Sequence, residues 1–224
     1  MGAGTGADLG VCYRLGGLRP PKPPADGCGT RSVPPMPLSL TALLEAGPLA
    51  ELLSLLTGHD VYLVGGLVRD ALLGRDRRSA FDIDLATSAR PEQVLELVTP
   101  WADAVWDVGR EFGTIACRTR GQHFEITTFR SDTYASPSRK PNVAFAGSIE
   151  DDLVRRDLTV NALALRLPGL ELVDPTGGVS DLAQRVLRTP LAPETTFGDD
   201  PLRMLRVARF VAQLPGFGVE PVSG

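Results

Sequence analysis

The sequence predicts an α+β fold in which helices flank a mixed sheet. Residues 61–74 have the pattern of a buried strand, a glycine pair and a short amphipathic helix, and residues 81–87 have the pattern of a second strand. Strand-like runs on either side of Gly121, within residues 113–130, predict a β-hairpin.

Composition bounds the class of protein. The chain has 224 residues, of which 43% are hydrophobic and 22% charged, so it can bury one sizeable core or one domain and part of another. Its net charge of −4 argues against a general polycation, so any RNA binding must be local or lie in a missing part. No apolar run is long enough to span a membrane, and the N-terminus lacks a secretory signal. The cysteines, Cys12, Cys28 and Cys117, lack metal-ligand spacing, which favours reduced thiols in a cytoplasmic protein.

The N-terminal region divides into two parts. Residues 1–35 are rich in glycine and proline without periodicity, which predicts a disordered extension. A proline-rich ligand for a partner is the sharper alternative, and no protein partner is otherwise implied. Met36 begins the first patterned segment and is a candidate natural start. Residues 38–57 predict a helix whose leucines enter the core, with Pro48 suited to a first helical turn and Gly58 to a stop.

Further elements follow the second strand. Ser88 offers an N-cap for a helix over residues 91–98. For Trp101 and Trp106, packing against the core or a hinge is favoured, and stacking on a base is the alternative. Residues 131–148 lack periodicity and predict a mobile loop.

The first strand pair carries residues suited to metal and phosphate. Asp82 and Asp84 lie two residues apart in a strand, so both carboxylates point to one face. Two such carboxylates resist joint ionisation unless a cation lies between them, and hard oxygen ligands suit Mg²⁺. Gly65 and Gly66 allow a tight turn into a helix N-terminus, with Arg69 one turn along to meet phosphate. Taken alone, the aspartate pair could lie in a solvated loop, and the glycine pair could form a plain turn. Their spacing within one strand–helix–strand unit favours a metal–triphosphate site.

A third carboxylate is predicted in the hairpin. Glu125 lies inside a β-prone run and shares a face with Thr127 and Phe129. A glutamate is unfavourable there unless that face is exposed to solvent or the carboxylate has a partner. Glu125 is therefore the candidate catalytic partner of Asp82 and Asp84, and a charge on an edge strand is the alternative.

These motifs resemble a known family. Residues 63–70 (Leu-Val-Gly-Gly-Leu-Val-Arg-Asp) and 81–87 (Phe-Asp-Ile-Asp-Leu-Ala-Thr) are similar to the head of the class II tRNA nucleotidyltransferases (CCA-adding enzymes) and their bacterial poly(A) polymerase relatives, in the DNA polymerase β-like superfamily. The resemblance implies that Asp82 and Asp84 bind Mg²⁺, and it supports Glu125 in type and order.

A second motif resembles the ribose-recognition motif of that family. Residues 155–162 are Arg-Arg-Asp-Leu-Thr-Val-Asn-Ala, with Leu158 where phenylalanine is usual. The resemblance implies that Asp157 accepts from a ribose hydroxyl while Arg156 supplies charge to phosphates. An ordinary helix salt bridge is the alternative.

A third motif resembles the Glu-Asp-x-x-Arg motif with which the family reads the incoming base, although Asp199 replaces the glutamate. Arginine only donates and ionised aspartate only accepts, so Asp200 beside Arg203 matches an exocyclic amine next to a bare ring nitrogen. Cytosine and adenine present that edge, whereas guanine and uracil do not, so selection of CTP and ATP follows. The polar stripe continues to Arg206 and Arg209, on a helix expected to bury Leu202 and Leu205, among other residues.

The resemblance also predicts the domain organisation. After the extension, residues 36–170 would form the nucleotidyltransferase head and residues 171–224 the beginning of a helical neck, with the body and tail domains absent. Residues 172–182 have the composition of a structural turn or hinge. A chain truncated in this way is expected to bind nucleotide, to extend tRNA poorly and to expose the apolar side of its last helix.

The expected function is addition of C and A to the tRNA 3′ end from CTP and ATP, with release of pyrophosphate. Poly(A) polymerase is the near alternative because it shares these motifs. A glycosyltransferase using Asp-x-Asp and a nucleotide-sugar would have no use for the stripe at Asp200 and Arg203. A non-catalytic nucleotide-binding module is the third alternative.

Overall fold

The structure is a computed structural model that describes residue 44 and residues 47–75, 82–133 and 142–220. The predictions for residues 1–35, for Met36 and for most of the first half of the helix at 38–57 lie outside the described residues. The second half of that helix is confirmed, with Pro48 in its first turn.

Most of the described elements within residues 48–128 follow the sequence prediction, but the short strand Ala104–Trp106 was not predicted. The strands are β1 (Val61–Val64), β2 (Asp82–Thr87), β3 (Ala104–Trp106), β4 (Thr114–Thr119), β5 (Gln122–Thr128), β6 (Arg130–Thr133), β7 (Asn142–Phe145), β8 (Ala164–Arg166), β9 (Glu171–Val173), β10 (Val186–Leu187) and β11 (Gly218–Val219). The α-helices are α1 (Pro48–Leu55), α2 (Gly66–Leu72), α3 (Pro91–Val98), α4 (Ile149–Val154), α5 (Gly178–Gln184), α6 (Pro193–Asp199) and α7 (Leu202–Gln213).

Seven strands form the main sheet, in the order β3-β4-β5-β2-β1-β8-β9. The pair β2 and β5 is parallel, and the other neighbours are antiparallel, so the predicted mixed sheet is confirmed. The parallel register sets Asp84 opposite Glu125. Two of the three predicted carboxylates therefore lie directly opposite each other on adjacent strands.

The core lies mainly on one face of this sheet. Alternate residues of β2, β4 and β5, among them Ile83, Ile115 and Phe124, are fully buried there together with leucines and valines of α1 and α3. On the opposite face a second cluster, which includes Tyr62 and Phe129, covers only the side of the sheet near β1 and β8. The opposite face of β3, β4 and β5 is left polar, because strand residues alternate between the two faces.

The predicted loop at 131–148 needs correction. β6 and β7 pair as an antiparallel ribbon in which Arg130 lies opposite Phe145. Each strand is short and lacks alternation, so only the partner strand, which satisfies the backbone hydrogen bonds, defines the ribbon. Residues 134–141 lie outside the described part of the chain.

One local prediction about a helix start was also wrong. The Ser88 hydroxyl does not cap α3 but accepts from the backbone N–H of Asp60 at 2.9 Å. Instead, the side-chain oxygen of Gln93 accepts from the N–H of Arg90 at 2.8 Å at the start of the helix. The helix with the polar stripe is present as α7, which begins directly after Pro201, whereas α6 was not predicted.

Burial on α7 also differs from prediction. Leu202 and Leu205 are 59% and 69% exposed, whereas Arg203, Phe210 and Leu214 are buried. Packing selects the face that contains the arginine, so the predicted burial of the two leucines was wrong. The expected exposure of an apolar side of the last helix is present.

No described helix is long and apolar enough to cross a membrane. Cys117 is a free, buried thiol, and burial raises its pKa to about 11. Cys12 and Cys28 lie outside the described residues. The predicted division at residue 170 falls between β8 and β9, which are paired in the main sheet, and the assignment of head and neck stays a prediction.

Candidate active site

A cleft of about 960 Å³ opens beside the polar side of β2 and β5 and extends to α7. The predicted site residues that line it are Gly65, Gly66, Arg69, Asp84, Glu125, Arg156, Asp157, Asp200, Arg203, Arg206 and Arg209. One cleft therefore contains residues of all the motifs, although they are widely separated in the chain.

The carboxylates form one end of the cleft. Asp84 is partly buried and Glu125 exposed, on paired strands that lie about 4.8 Å apart. Burial raises the pKa of Asp84, the charges of Glu125 and Asp82 raise it further, and Arg156 opposes them. Negative charge here is incompletely compensated by the protein, which suits a bound cation.

Asp82 has a different position. Its side chain is 77% exposed, and its Oδ1 lies 3.3 Å from Nδ1 of His123, the residue opposite it on β5. It is the one predicted site residue that does not line the cleft. Asp82 therefore lies beside the other two carboxylates, and its side chain contacts His123 instead of lining the cleft with them.

The donor set fits a hard divalent cation in kind. Among the described residues there is no cluster of three or more His, Cys, Asp or Glu side chains arranged for a metal. Mg²⁺ is commonly held by one or two carboxylates, with waters and substrate phosphates completing the shell. Asp84, with Asp82 two residues before it on the same strand, would supply such ligands.

The glycine turn adjoins Asp84. Gly65 has φ 75° and ψ −144°, and a Cβ placed on it would lie 3.0 Å from Oδ2 of Asp84. Only glycine combines this backbone conformation with that approach. The turn between β1 and α2 therefore forms the wall next to the carboxylates.

Arg69 is more enclosed than predicted. It is 7% exposed, its Nε donates to Oδ1 of Asp70 at 3.0 Å, and its Nη1 donates to Oδ1 of Asn161 at 2.8 Å. Its guanidinium also lies 5.5 Å from the ring centroid of Phe210 on α7. Arg69 thus joins three segments of the cleft wall, and a phosphate contact by it stays a prediction.

Arg156 belongs to a buried ion cluster. Asp152 on α4 is fully buried and accepts from Nη2 of Arg155 at 2.7 Å and from Nη2 of Arg156 at 2.8 Å. Burial alone would raise the pKa of Asp152, but the two guanidiniums outweigh it and hold that pKa below its ordinary value. The helix salt bridge considered as the alternative is therefore present, and it fixes Arg156 in the cleft wall.

Asp157 links this segment to α7. Its Oδ2 accepts from Nε of Arg206 at 2.7 Å, and its Oδ1 accepts from the N–H of Leu158 at 2.9 Å. The Nδ2 of Asn161 donates to the same Oδ1 at 3.4 Å. A buried, oriented carboxylate thus stands at the centre of the arginine-rich end of the cleft.

Asp200 and Arg203 come together at the start of α7. Oδ1 of Asp200 accepts from the N–H of Leu202 at 3.0 Å, and Nη2 of Arg203 donates to the carbonyl of Arg155 at 2.9 Å. Both side chains line the cleft. A base read by this pair would therefore lie against the segment that contains Asp157.

Several residues that build the site were not predicted from the sequence. Asn161 and Arg155 lie within the quoted motif but received no role, and Arg130 and Asp152 were not considered. The spacing of three and four residues from Asp152 to the two arginines is a helical ion-pair signal that was available. The contact between Arg69 and Asn161 had no local signal, because those residues are distant in the chain.

The mixed sheet with flanking helices, with carboxylates facing an arginine-lined cleft, has the fold of a nucleotidyltransferase head. The model of the family described as Poly A polymerase head domain matches residues 61–188. The chain belongs to this family.

Similar proteins carry the name CCA-adding enzyme. The chain is 44% identical over 165 residues to that of Bacillus subtilis (strain 168) and 42% identical over 165 residues to that of Geobacillus stearothermophilus. Each match covers 73% of this chain and 39% of the relative. The chain thus spans about two fifths of the length of the curated relatives it matches.

Solved structures give the same likeness. The crystal structure of Bacillus stearothermophilus CCA-adding enzyme in complex with CTP superposes with a TM-score of 0.67 at 37% identity, covering 83% of this chain and 42% of that one. A tRNA nucleotidyltransferase complexed with a primer tRNA and an incoming ATP analog superposes with a TM-score of 0.57 at 30% identity, covering 81% of this chain and 46% of the other.

Proposed function

We propose that this chain is the catalytic head, with the start of the neck, of a cytoplasmic enzyme that adds C and A to the 3′ end of tRNA. CTP and ATP would be the nucleotide donors, and pyrophosphate would be released. The observation that carries the proposal is the single cleft with Asp84 and Glu125 at one end and Asp157, Asp200 and Arg203 at the other. Similarity to CCA-adding enzymes, one of them in complex with CTP, supports it.

The carboxylate end is assigned to the chemical step. The oxygen of the RNA 3′-hydroxyl forms a bond to the α-phosphorus of the nucleotide as the bond to the β-phosphate oxygen breaks. Glu125, exposed and opposite Asp84, is proposed to accept the hydroxyl proton. Mg²⁺ held by Asp84 and Asp82 would supply charge for the attacking and leaving oxygens.

The arginine-rich end is assigned to the nucleotide. Gly65 and Gly66 leave the turn beside Asp84 open for a phosphate, and Arg69, Arg156 and Arg209 contribute positive charge along the wall. Asp157 is proposed to accept from a ribose hydroxyl, and its ion pair with Arg206 holds it in one orientation.

Base selection is assigned to Asp200 and Arg203. Their acceptor and donor match the amine and bare ring nitrogen of cytosine and adenine. A carbonyl next to N–H, as in guanine and uracil, mispairs both protein groups at a cost of about 1–3 kcal/mol per buried group. CTP and ATP are therefore the expected substrates.

A second candidate is polyadenylation, since the matching family takes its description from poly(A) polymerase. Both functions use the same chemical step and differ in the sequence of the product. A non-catalytic nucleotide-binding role would show binding without any extension.

The test is extension of a tRNA transcript that ends at its discriminator base, with Mg²⁺, all four nucleotides and a high protein concentration. Sequencing of the 3′ ends should show added C followed by A. Tails of A alone would replace the proposal with polyadenylation. Nucleotide binding with unextended ends, unchanged in Asp84→Asn, would favour the binding module.

A further inference from the structure

Part of the polar face of the sheet lies outside the nucleotide cleft. The strand register aligns four residues in one row across the sheet: Trp106 on β3, Ala116 on β4, Glu125 on β5 and Asp84 on β2. The row has the length of three strand spacings, about 14 Å. It leads from the catalytic end of the cleft to the edge of the sheet.

An aromatic contact occupies the outer part of this face. Trp106 is 43% exposed, and its ring centroid lies 5.6 Å from that of His123 at an interplanar angle of 50°. The small side chain of Ala116, on the strand between them, leaves room for that contact. Nδ1 of His123 in turn lies 3.3 Å from Oδ1 of Asp82. Side-chain contacts therefore continue from Trp106 to a predicted catalytic carboxylate.

A positive charge flanks the aromatic contact. Arg118 lies opposite His123 in the next strand and is exposed. Its guanidinium forms no hydrogen bond or ion pair with any residue in the described ranges, in contrast to those of Arg110 and Arg120, which pair with Glu92 and Glu51. A guanidinium beside an exposed indole suits a nucleotide, because it can contact a phosphate while the base stacks on the indole.

We propose that Trp106, His123 and Arg118, here called the open-face platform, bind the single-stranded 3′ end of the RNA acceptor. A base near the 3′ end stacks on Trp106, and a phosphate contacts Arg118. The arginine-rich end of the cleft is assigned to the incoming nucleotide, so the acceptor must reach Asp84 and Glu125 from another side. The platform is continuous with those carboxylates, and this inference rests on the proposed function.

The proposal changes the role expected of Trp106. The sequence favoured packing against the core or a hinge for both tryptophans. Trp101 does pack in this way, with its ring centroid 6.0 Å from that of the buried Phe124. Trp106 instead keeps much of its surface exposed on the polar face. Base stacking, the alternative for both tryptophans, fits Trp106 alone.

The test measures RNA and nucleotide affinity separately on the full chain. The RNA probe is an acceptor-stem hairpin with a single-stranded 3′ overhang, titrated by fluorescence anisotropy in Mg²⁺ buffer; CTP binding is measured by calorimetry. The variants are Trp106→Ala, Trp106→Phe and Arg118→Gln. The first matched control is Val108→Ala, because Val108 is 86% exposed near the same sheet edge. The second is Arg166→Gln, because Arg166 pairs with Asp60 and lies on β8, four strands from Arg118 on β4.

Trp106→Ala should raise the Kd for RNA at least about fivefold, because base stacking on an aromatic ring has this size of effect. Trp106→Phe should keep most of the affinity. Arg118→Gln should weaken RNA binding and lower the slope of log Kd against log salt by about one. The Kd for CTP should stay unchanged in all variants, and the controls should match the wild type.

Equal RNA affinity in wild type, Trp106→Ala and Arg118→Gln would overturn the proposal, as would a wild-type chain that binds CTP but no RNA. Loss of self-association in Trp106→Ala with RNA affinity intact would assign the surface to a second copy of the chain and also overturn it. Failure of the proposed function is distinguishable, because it would appear in the extension assay as tails of A alone or as unextended ends, whatever the RNA affinities of the variants.

Discussion

A methyl group on Gly65 would lie 3.0 Å from Oδ2 of Asp84. The glycine turn and the carboxylate are therefore fitted to each other, although the turn follows β1 and the carboxylate lies on β2. Gly66 has no such restriction, since a Cβ there would meet only the end of Arg69 at 3.5 Å.

Gly65→Ala should reduce nucleotide transfer about 100-fold, because the added Cβ displaces Asp84 and small displacements of catalytic groups have effects of this order. It should also destabilise the fold by about 1–3 kcal/mol, because φ at this residue is positive. Gly66→Ala is the matched control and should change both quantities much less. Initial rates and urea unfolding of the two variants make the comparison, and equal effects would contradict the fit between Gly65 and Asp84.

Asp152→Asn should lower the free energy of unfolding by about 3 kcal/mol, because it leaves two guanidiniums without their buried carboxylate. Asp60→Asn is the control: it removes an exposed pair with Arg166 and should cost less than about 1 kcal/mol. Chemical denaturation at pH 7 measures both values. Similar losses would show that the buried cluster is not a special source of stability.

Stability should also depend on the protonation of Asp152. Its pKa in the folded protein lies below the ordinary value of 3.8, so its ionised form stabilises the fold. The contribution is complete well above pH 3.8 and is lost as the pH falls through 3.8 towards the lower folded pKa. The difference between wild type and Asp152→Asn should therefore shrink in that acid range, as followed by denaturation at several pH values. A difference that is constant with pH would contradict this.

Asp157→Asn should reduce discrimination between ribonucleotides and deoxyribonucleotides about tenfold, because a hydrogen bond to a charged acceptor is stronger than one to an amide. Arg206→Gln removes the ion-pair partner but keeps the carboxylate. It should reduce the same discrimination by a smaller factor, because the charged acceptor remains but is no longer held in one orientation. Competition between CTP and dCTP gives the ratio directly, and an unchanged ratio in Asp157→Asn would remove Asp157 from ribose recognition.

Asp200→Asn should weaken the preference for CTP and ATP over UTP and GTP by a factor of about 5–150, which corresponds to one mispaired buried group. Asp199→Asn carries the same chemical change at a neighbouring residue that does not line the cleft, and it should leave the preference intact. Incorporation from mixed nucleotides measures the preference. If the two variants behave alike, the base is read elsewhere.

Local sequence pattern determined much of this protein. Alternation with a period of two identifies β2 and β5, and the glycine pair after an apolar run identifies the turn into α2. These features depend only on residues that are close together in the chain. The two aspartates and the glutamate could therefore be proposed as site residues from the sequence alone. The hydrogen-bonding character of Asp200 and Arg203 likewise follows from their side chains alone.

The tertiary structure decided which of these residues meet. The parallel pairing of β2 with β5 sets Glu125 opposite Asp84, and α7 turns Arg203 rather than Leu202 into the protein. It also directs Asp82 towards His123 and Arg206 onto Asp157. Strand partners and buried helix faces are chosen by packing among residues that are distant in the chain. No local pattern contains that information, which is why the platform beside the carboxylates became apparent only in the folded protein.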